Sequence, residues 1–196
     1  NTPLTILANA AGEQDTPLAR LVREQAEAAR RQVDWHLARA RASAAVRATG
    51  LATPVLEPLQ ALVRTMARLH AERGVSFELA PGAQDENFRG EAQDLYEMLG
   101  NLIDNAGKWA RTRVRVDTHR EGGQLVFTID DDGPGIPEAE RERMFERGAQ
   151  LSDTNGGAGL GLDIVRTLAQ TYGGSVQALA SPLGGLRMRL VLPASA

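Results

Sequence analysis

Between residues 97 and 108 the polar side chains Glu97, Asn101, Asn105 and Lys108 recur at steps of four, four and three. An α-helix puts residues so spaced on one stripe. Leu99, Leu102, Ile103 and Ala106 supply an apolar stripe on another side, as a helix docked on a sheet requires. A merely solvated face favours Glu/Lys pairs, whereas two members of this stripe are asparagines, which are middling helix formers. An amide oxygen is a hard, neutral ligand suited to Mg²⁺, which keeps waters and bridges to substrate phosphates. Taken alone, the stripe fits a metal–phosphate face and an ordinary exposed face equally.

Two glycine-rich segments follow. Asp131-Asp132-Gly133-Pro134-Gly135 closes an alternating strand, and Gly157-Ala158-Gly159-Leu160-Gly161 opens a helix. A dinucleotide fold does not account for the second, because polar residues rather than a buried strand lead into it. Helix, Asp-x-Gly-x-Gly and Gly-x-Gly-x-Gly in that order are hard to reach by chance. With the strings Met-Leu-Gly-Asn-Leu-Ile-Asp-Asn-Ala, Asp-Asp-Gly-Pro-Gly-Ile-Pro and Phe-Glu-Arg-Gly, the set resembles the ATP-binding domain of sensor histidine kinases. That domain sits within the gyrase/Hsp90/histidine-kinase/MutL ATPase superfamily, and the strings look most like PhoQ-type sensors. The resemblance covers nearly the whole chain.

The resemblance implies a set of roles. Asp131 accepts a hydrogen bond from the adenine amino group, although a turn-capping Asp is the plainer reading of an Asp beside Gly-Pro-Gly. Asp130 and Asp132 are expected to face solvent or cap backbone. Gly133 and Gly135 let the backbone approach the nucleotide, next to Ile136. Gly157, Gly159, Leu160, Gly161 and Leu162 form the phosphate end, where free N–H groups at a helix start attract anions. Asn101 and Asn105 hold Mg²⁺ and phosphates, Lys108 contacts phosphate, and Glu97 polarises the acceptor. Phe145 anchors a lid over residues 148–156 and Arg147 approaches the phosphates; a core aromatic and a surface arginine are the alternatives. Trp109 packs in the core or stacks on the nucleotide. Ala158 departs from the pattern, since PhoQ-type sensors place a polar residue there that can help ligate Mg²⁺. The implied reaction is phosphoryl transfer, which needs positioning and charge neutralisation more than a covalent nucleophile.

The 196 residues allow one ordinary domain plus an appendage. A net charge of −3 lacks the basic footprint of general nucleic-acid binding. The absence of cysteine excludes disulfides and thiolate metal sites. No stretch is apolar for long enough to span a membrane, so no membrane contact is expected of this fragment. Every basic residue but Lys108 is an arginine. A compact ammonium suits a phosphate at that point, and a coding bias explains the pattern as well.

Along the chain, Thr2-Pro3-Leu4 matches the end of the kinases' His-Asp/Glu-x-x-Thr-Pro-Leu segment, so the acceptor His is expected just ahead of Asn1, with Thr2 at a position linked to phosphatase activity. Asp15 or Thr16 caps a helix with Pro17 early in it, running to about residue 46. Leu18, Val22, Ala26, Ala29, Val33, Leu37, Ala40 and Ala44 give it a coiled-coil-like seam. In the family this is part of a helical hairpin that dimerises as a four-helix bundle. His36, His70 and His119 read as surface or structural residues, none having an acidic orienter at sensible sequence spacing.

Helices are predicted over 58–73, 93–109, 138–145 and 162–172, with Leu59, Leu62, Val63, Met66 and Leu69 on the core face of the first. Strands are predicted over 75–79, 113–118, 124–130, 175–180 and 186–192, and a loop over 81–88. Antiparallel strands with helices on one face make an α+β fold, a two-layer α/β sandwich of the Bergerat ATP-binding type, preceded by a truncated helical hairpin. The expected organisation is 1–47 for a partial dimerisation and phosphotransfer hairpin, 48–55 for a linker and 56–196 for the catalytic domain.

The implied protein is a histidine kinase binding ATP and Mg²⁺. It forms a homodimer through the hairpin and passes phosphate to a response-regulator receiver domain, this portion being the cytoplasmic part of an inner-membrane sensor. An anti-sigma-type serine kinase or a conformational ATPase of the same fold is the alternative, as is a dimerisation module that keeps the fold without the chemistry.

Overall fold

A computed structural model describes residues 51–195 except Gln84 and 146–160, together with nine residues between Thr16 and Val33. The chain divides into two compact units, Asn1–Arg41 and Ala42–Ala196. In the first, the described residues from Leu18 to Val33 are helical. Of the two candidate caps, Thr16 is the one seen, its Oγ accepting from the Ala19 N–H at 3.1 Å. Of the expected seam, Ala26 is buried and Val22 half-buried, while Leu18, Ala29 and Val33 are exposed; Ala19, which is not on it, is buried. Leu37, Ala40, Ala44, Thr2 and His36 lie outside the described residues.

The second unit is a five-stranded sheet covered on one face by three helices. Its elements are β1 (Thr53–Pro54), α1 (Leu56–Leu69), β2 (Ser76–Leu79), β3 (Asn87–Phe88), α2 (Ala92–Trp109), β4 (Arg113–Glu121), β5 (Gln124–Asp131), α3 (Gly161–Thr171), β6 (Ser175–Ala180) and β7 (Leu186–Pro193). The sheet order is β2-β4-β5-β7-β6. Three of its pairings are antiparallel, but β2 runs parallel to β4, with Phe77 opposite Val114. The expectation of a wholly antiparallel sheet fails here because α2 intervenes as the long crossover that a parallel pair requires.

Register puts Val116, Ile129 and Met188 side by side on the helix-covered face. Against it α2 buries Leu95, Met98, Leu99, Leu102, Ile103 and Ala106, each of the larger ones stabilising by roughly 2 kcal/mol. β5 is the middle strand and is buried from Leu125 to Asp131. Asp131 therefore continues the Phe127–Ile129 line into the helix-covered layer, and Asp130 points to the other face. There Arg187 grips Asp130 with two hydrogen bonds of 2.8 Å, so Asp130 is a buried ion-paired residue rather than a solvent-facing one.

Further expectations change. Within the expected linker, Thr53–Pro54 pairs with Asn87–Phe88 and Val55 is fully buried. The same pairing puts a short strand in the segment expected to be loop. α1 begins at Leu56 rather than at Pro58, because a proline is tolerated anywhere in a first turn whose N–H groups lack helical partners. The segment at 138–145 is two 3₁₀ turns, Glu138–Glu140 and Arg143–Phe145. At the end of α1, Leu69 is 66% exposed and His70 is buried in its place. A 3₁₀ turn over Ala71–Arg73 follows and closes at Gly74, whose φ of 67° suits glycine.

Candidate functional site

The end of β5 delivers Asp131 into a nest of backbone. Its Oδ1 accepts from the N–H groups of Gly133 at 2.8 Å and Leu186 at 3.1 Å. The N–H of Gly185 donates to its carbonyl at 3.2 Å. Among the described residues Oδ2 receives no hydrogen bond. Burial pushes this carboxyl above its ordinary pKa, opposed by the two backbone N–H groups and assisted by the charges of Asp132 and Asp130. A buried carboxylate with one oxygen fixed and the other unmatched favours a ligand that brings a donor.

The surrounding glycines are small because the space is already filled. A Cβ on Gly133 would lie 2.5 Å from the carbonyl oxygen of Trp109, and one on Gly185 would lie 2.2 Å from Asp131 Oδ1. Gly135 has φ of 69° and backs onto the Gly185 carbonyl. Gly185, just ahead of the last predicted strand, is a further member of the site. Its signal, a glycine immediately before the last strand, is shared by many turns, and only β5–β7 pairing brings it to Asp131.

Asp132 fastens this loop to the start of β4. Its carboxylate accepts from the N–H groups of Arg111, Thr112 and Arg113 and from the Thr112 hydroxyl, at 2.5 to 3.1 Å. Burial opposes ionisation, but the Thr112 hydroxyl and these N–H groups outweigh it and hold the carboxyl well below the usual range. This is the backbone-capping role expected of Asp132, and it fixes the exit of α2 beside Asp131.

On α2, Glu97, Asn101 and Asn105 are half-buried and Lys108 is exposed. The Asn101 amide NH₂ donates to the Glu97 carbonyl at 2.8 Å, which turns its oxygen outward. That oxygen faces the start of α3, where a Cβ on Gly161 would approach it to 2.6 Å. The α2 helix thus meets the first glycine of α3 at Asn101 and the Asp131 loop at Trp109. Phe145 is buried with the Arg166 guanidinium 5.7 Å from its ring centre. Ile136, Leu162 and Trp109 are half-buried. Arg147, Gly157, Ala158, Gly159, Leu160 and the lid at 148–156 lie outside the described residues.

The C-terminal end of α2 is clasped by the exit of α1. Arg73 donates to the carbonyls of Gly107 and Ala110, the latter at 3.2 Å, which suits a cation at a helix C-terminus. His70, expected at the surface without an acidic partner, is buried with Nε2 3.1 Å from Asp104 Oδ1. The other Asp104 oxygen lies 2.7 Å from Lys108 Nζ. Asp104 was absent from the sequence reading, although its place four residues before Lys108 is a favourable helical spacing for an ion pair.

Comparisons with known proteins identify the family. The family described as histidine kinase-, DNA gyrase B- and HSP90-like ATPase matches residues 90–196. The sensor protein kinase CarS of Pseudomonas aeruginosa is 36% identical over 202 residues, covering 98% of this chain and 43% of CarS. The sensor protein PhoQ of Escherichia coli K12 is 31% identical over 170 residues, 86% of this chain and 34% of PhoQ. The chain therefore spans less than half the length of these relatives. The full-length ShkA structure in complex with AMPPNP superposes with a TM-score of 0.74 at 25% identity, over 100% of this chain and 44% of ShkA. With more than half of its residues inside the family match, the chain belongs to the histidine kinase-, DNA gyrase B- and HSP90-like ATPases.

Proposed function

We propose that this chain is the catalytic region of a sensor histidine kinase: it binds ATP with Mg²⁺ and directs the γ-phosphoryl group to a histidine of the intact sensor, from which it passes to a response-regulator receiver domain. The observation that carries the reading is the Asp131 carboxylate, buried, fixed through Oδ1 and unmatched among the described residues at Oδ2. An exocyclic amine such as that of adenine supplies the missing donor, and a site built this way rejects bases that lack one.

The other residues take roles from that anchor. Gly133, Gly135 and Ile136 border the base, and Gly161, Leu162, Gly157, Gly159 and Leu160 border the phosphates. Asn101 and Asn105 would hold Mg²⁺, which when bound neutralises charge shared between the phosphates. The outward amide oxygen of Asn101 fits a hard cation. Among the described residues no group of three or more His, Cys, Asp or Glu is arranged for a metal, so the phosphates themselves would complete the coordination. Lys108 and Arg147 offset phosphate charge, Glu97 polarises the acceptor imidazole, and Phe145 anchors the lid. The P–O bond to ADP breaks as a P–N bond to the imidazole forms. Residues 1–47 belong to the dimerising hairpin, residues 56–196 to the catalytic domain, and the whole faces the cytoplasm in a membrane sensor.

The full-length sensor incubated with radiolabelled ATP and Mg²⁺ tests this. Label that is acid-labile, alkali-stable and lost in Asn105→Ala is expected; acid-stable label would assign a serine kinase instead.

A further inference from the structure

Behind the polar stripe of α2 stands a second row of side chains that no sequence motif announced. We infer that His70 is a positioning residue for the Lys108 ammonium, acting through Asp104; the inference rests on the reading of Lys108 as a phosphate-binding group. The one carboxylate is shared, with Oδ1 3.1 Å from His70 Nε2 and Oδ2 2.7 Å from Lys108 Nζ. An ionised carboxylate only accepts, so Nε2 is the protonated ring nitrogen and donates to it. His70 is 7% exposed while Lys108 is 47% exposed on its side chain. The arrangement therefore runs from a buried donor, through a half-buried carboxylate, to an exposed ammonium.

Two further observations show that the ring is placed there rather than merely tolerated. Gly107 lies in the last turn of α2, where glycine is a poor helix former. A Cβ at that position would meet His70 Cδ2 and Nε2 at 2.8 Å and Phe77 Cζ at 2.7 Å. The missing side chain admits the imidazole against the helix. The ring also rests beside Phe77, with centroids 5.6 Å apart. With its ring so held, His70 orients Asp104, and Asp104 keeps the long lysine stem folded along α2 instead of extended into water. A charge held near its working position loses less freedom when a phosphate arrives.

The test is a double-mutant cycle on binding of AMPPNP with Mg²⁺, measured by calorimetry on the 196-residue chain. His70→Phe keeps a ring beside Phe77 but has no donor, and His70→Gln restores one. His70→Phe is expected to weaken binding about fivefold and His70→Gln to recover most of the loss. In a Lys108→Ala background His70→Phe should have no further effect, which a purely structural role would not produce. Equal losses in both backgrounds, or no recovery with His70→Gln, overturn the relay and leave the nucleotide site standing. Failure of the unsubstituted chain to bind AMPPNP overturns both. Should His70→Phe not fold, His70→Asn, whose amide ends short of Asp104, replaces it in the same cycle.

Discussion

At the Asp131 end of the site the contacts are made by backbone: the N–H groups of Gly133 and Leu186 on Oδ1, and the N–H of Gly185 on the main-chain oxygen. At the Lys108 end they are made by side chains, His70 to Asp104 and Asp104 to Lys108. Backbone groups tied into β5 and β7 cannot re-aim without disturbing the sheet, so the first end is fixed in shape and intolerant of added volume. An ammonium on a flexible stem can re-aim, so the second end has more freedom than the first. On the proposed function, that division suits recognition of a rigid base at one end and of a changing phosphate at the other.

Three substitutions test the contrast, in falling order of effect. Gly185→Ala puts a methyl 2.2 Å from Asp131 Oδ1, with backbone on every near side. A loss of about 3 kcal/mol in stability is expected, read by chemical denaturation, together with loss of AMPPNP binding. A near-normal stability would show that the Asp131 nest is softer than its contacts suggest.

Asp131→Asn separates recognition from stability. The asparagine oxygen can keep both backbone bonds, but an NH₂ then replaces Oδ2 and meets the adenine amine donor to donor. Nucleotide affinity should fall by roughly 2 kcal/mol, about thirtyfold. The sign for stability is the reverse. Asp131 has an ordinary value of 3.8 and a raised one when folded, so the folded chain binds that proton more tightly than the unfolded chain. Stability therefore declines as pH rises from 3.8 through the folded pKa. The asparagine variant lacks this decline, and without nucleotide at neutral pH it should be at least as stable as the parent. Matched pH–stability curves for the two proteins check it.

Arg73→Ala removes the guanidinium from the carbonyls that end α2, at the side-chain-built end. A loss of about 1 kcal/mol is expected, visible as a lower thermal midpoint with nucleotide affinity changed less than by Asp131→Asn.

Much of this was legible in the chain because it depends on local spacing. Steps of four, four and three defined the α2 stripe, alternation defined β2, β4 and β5, and Asp-x-Gly-x-Gly located Asp131. What escaped was whatever depends on residues far apart in sequence. His70 looked like a surface residue because its acid, Asp104, stands on another helix, and Leu69 looked like core because helical periodicity continued past the point where the turn tightens to 3₁₀. Asp130 looked solvent-facing because Arg187 arrives from β7. β3 was hidden by its two-residue length, and the parallel β2–β4 pair by the assumption that neighbouring strands alternate in direction.

Local sequence, then, located the long helices and the five sheet strands, showed that three glycine- and asparagine-bearing motifs belong to one ATPase family, and put Asp131 at a strand end. Short-range periodicity and backbone freedom set those, and both are written in consecutive residues. Only the tertiary structure decided that Gly185 completes the wall around Asp131, that one carboxyl oxygen is spoken for while the other is open, and that His70 stands behind Lys108. Those depend on sheet register and on where two helices meet, and hydrogen-bond partners brought together by packing leave no mark in the spacing of either one.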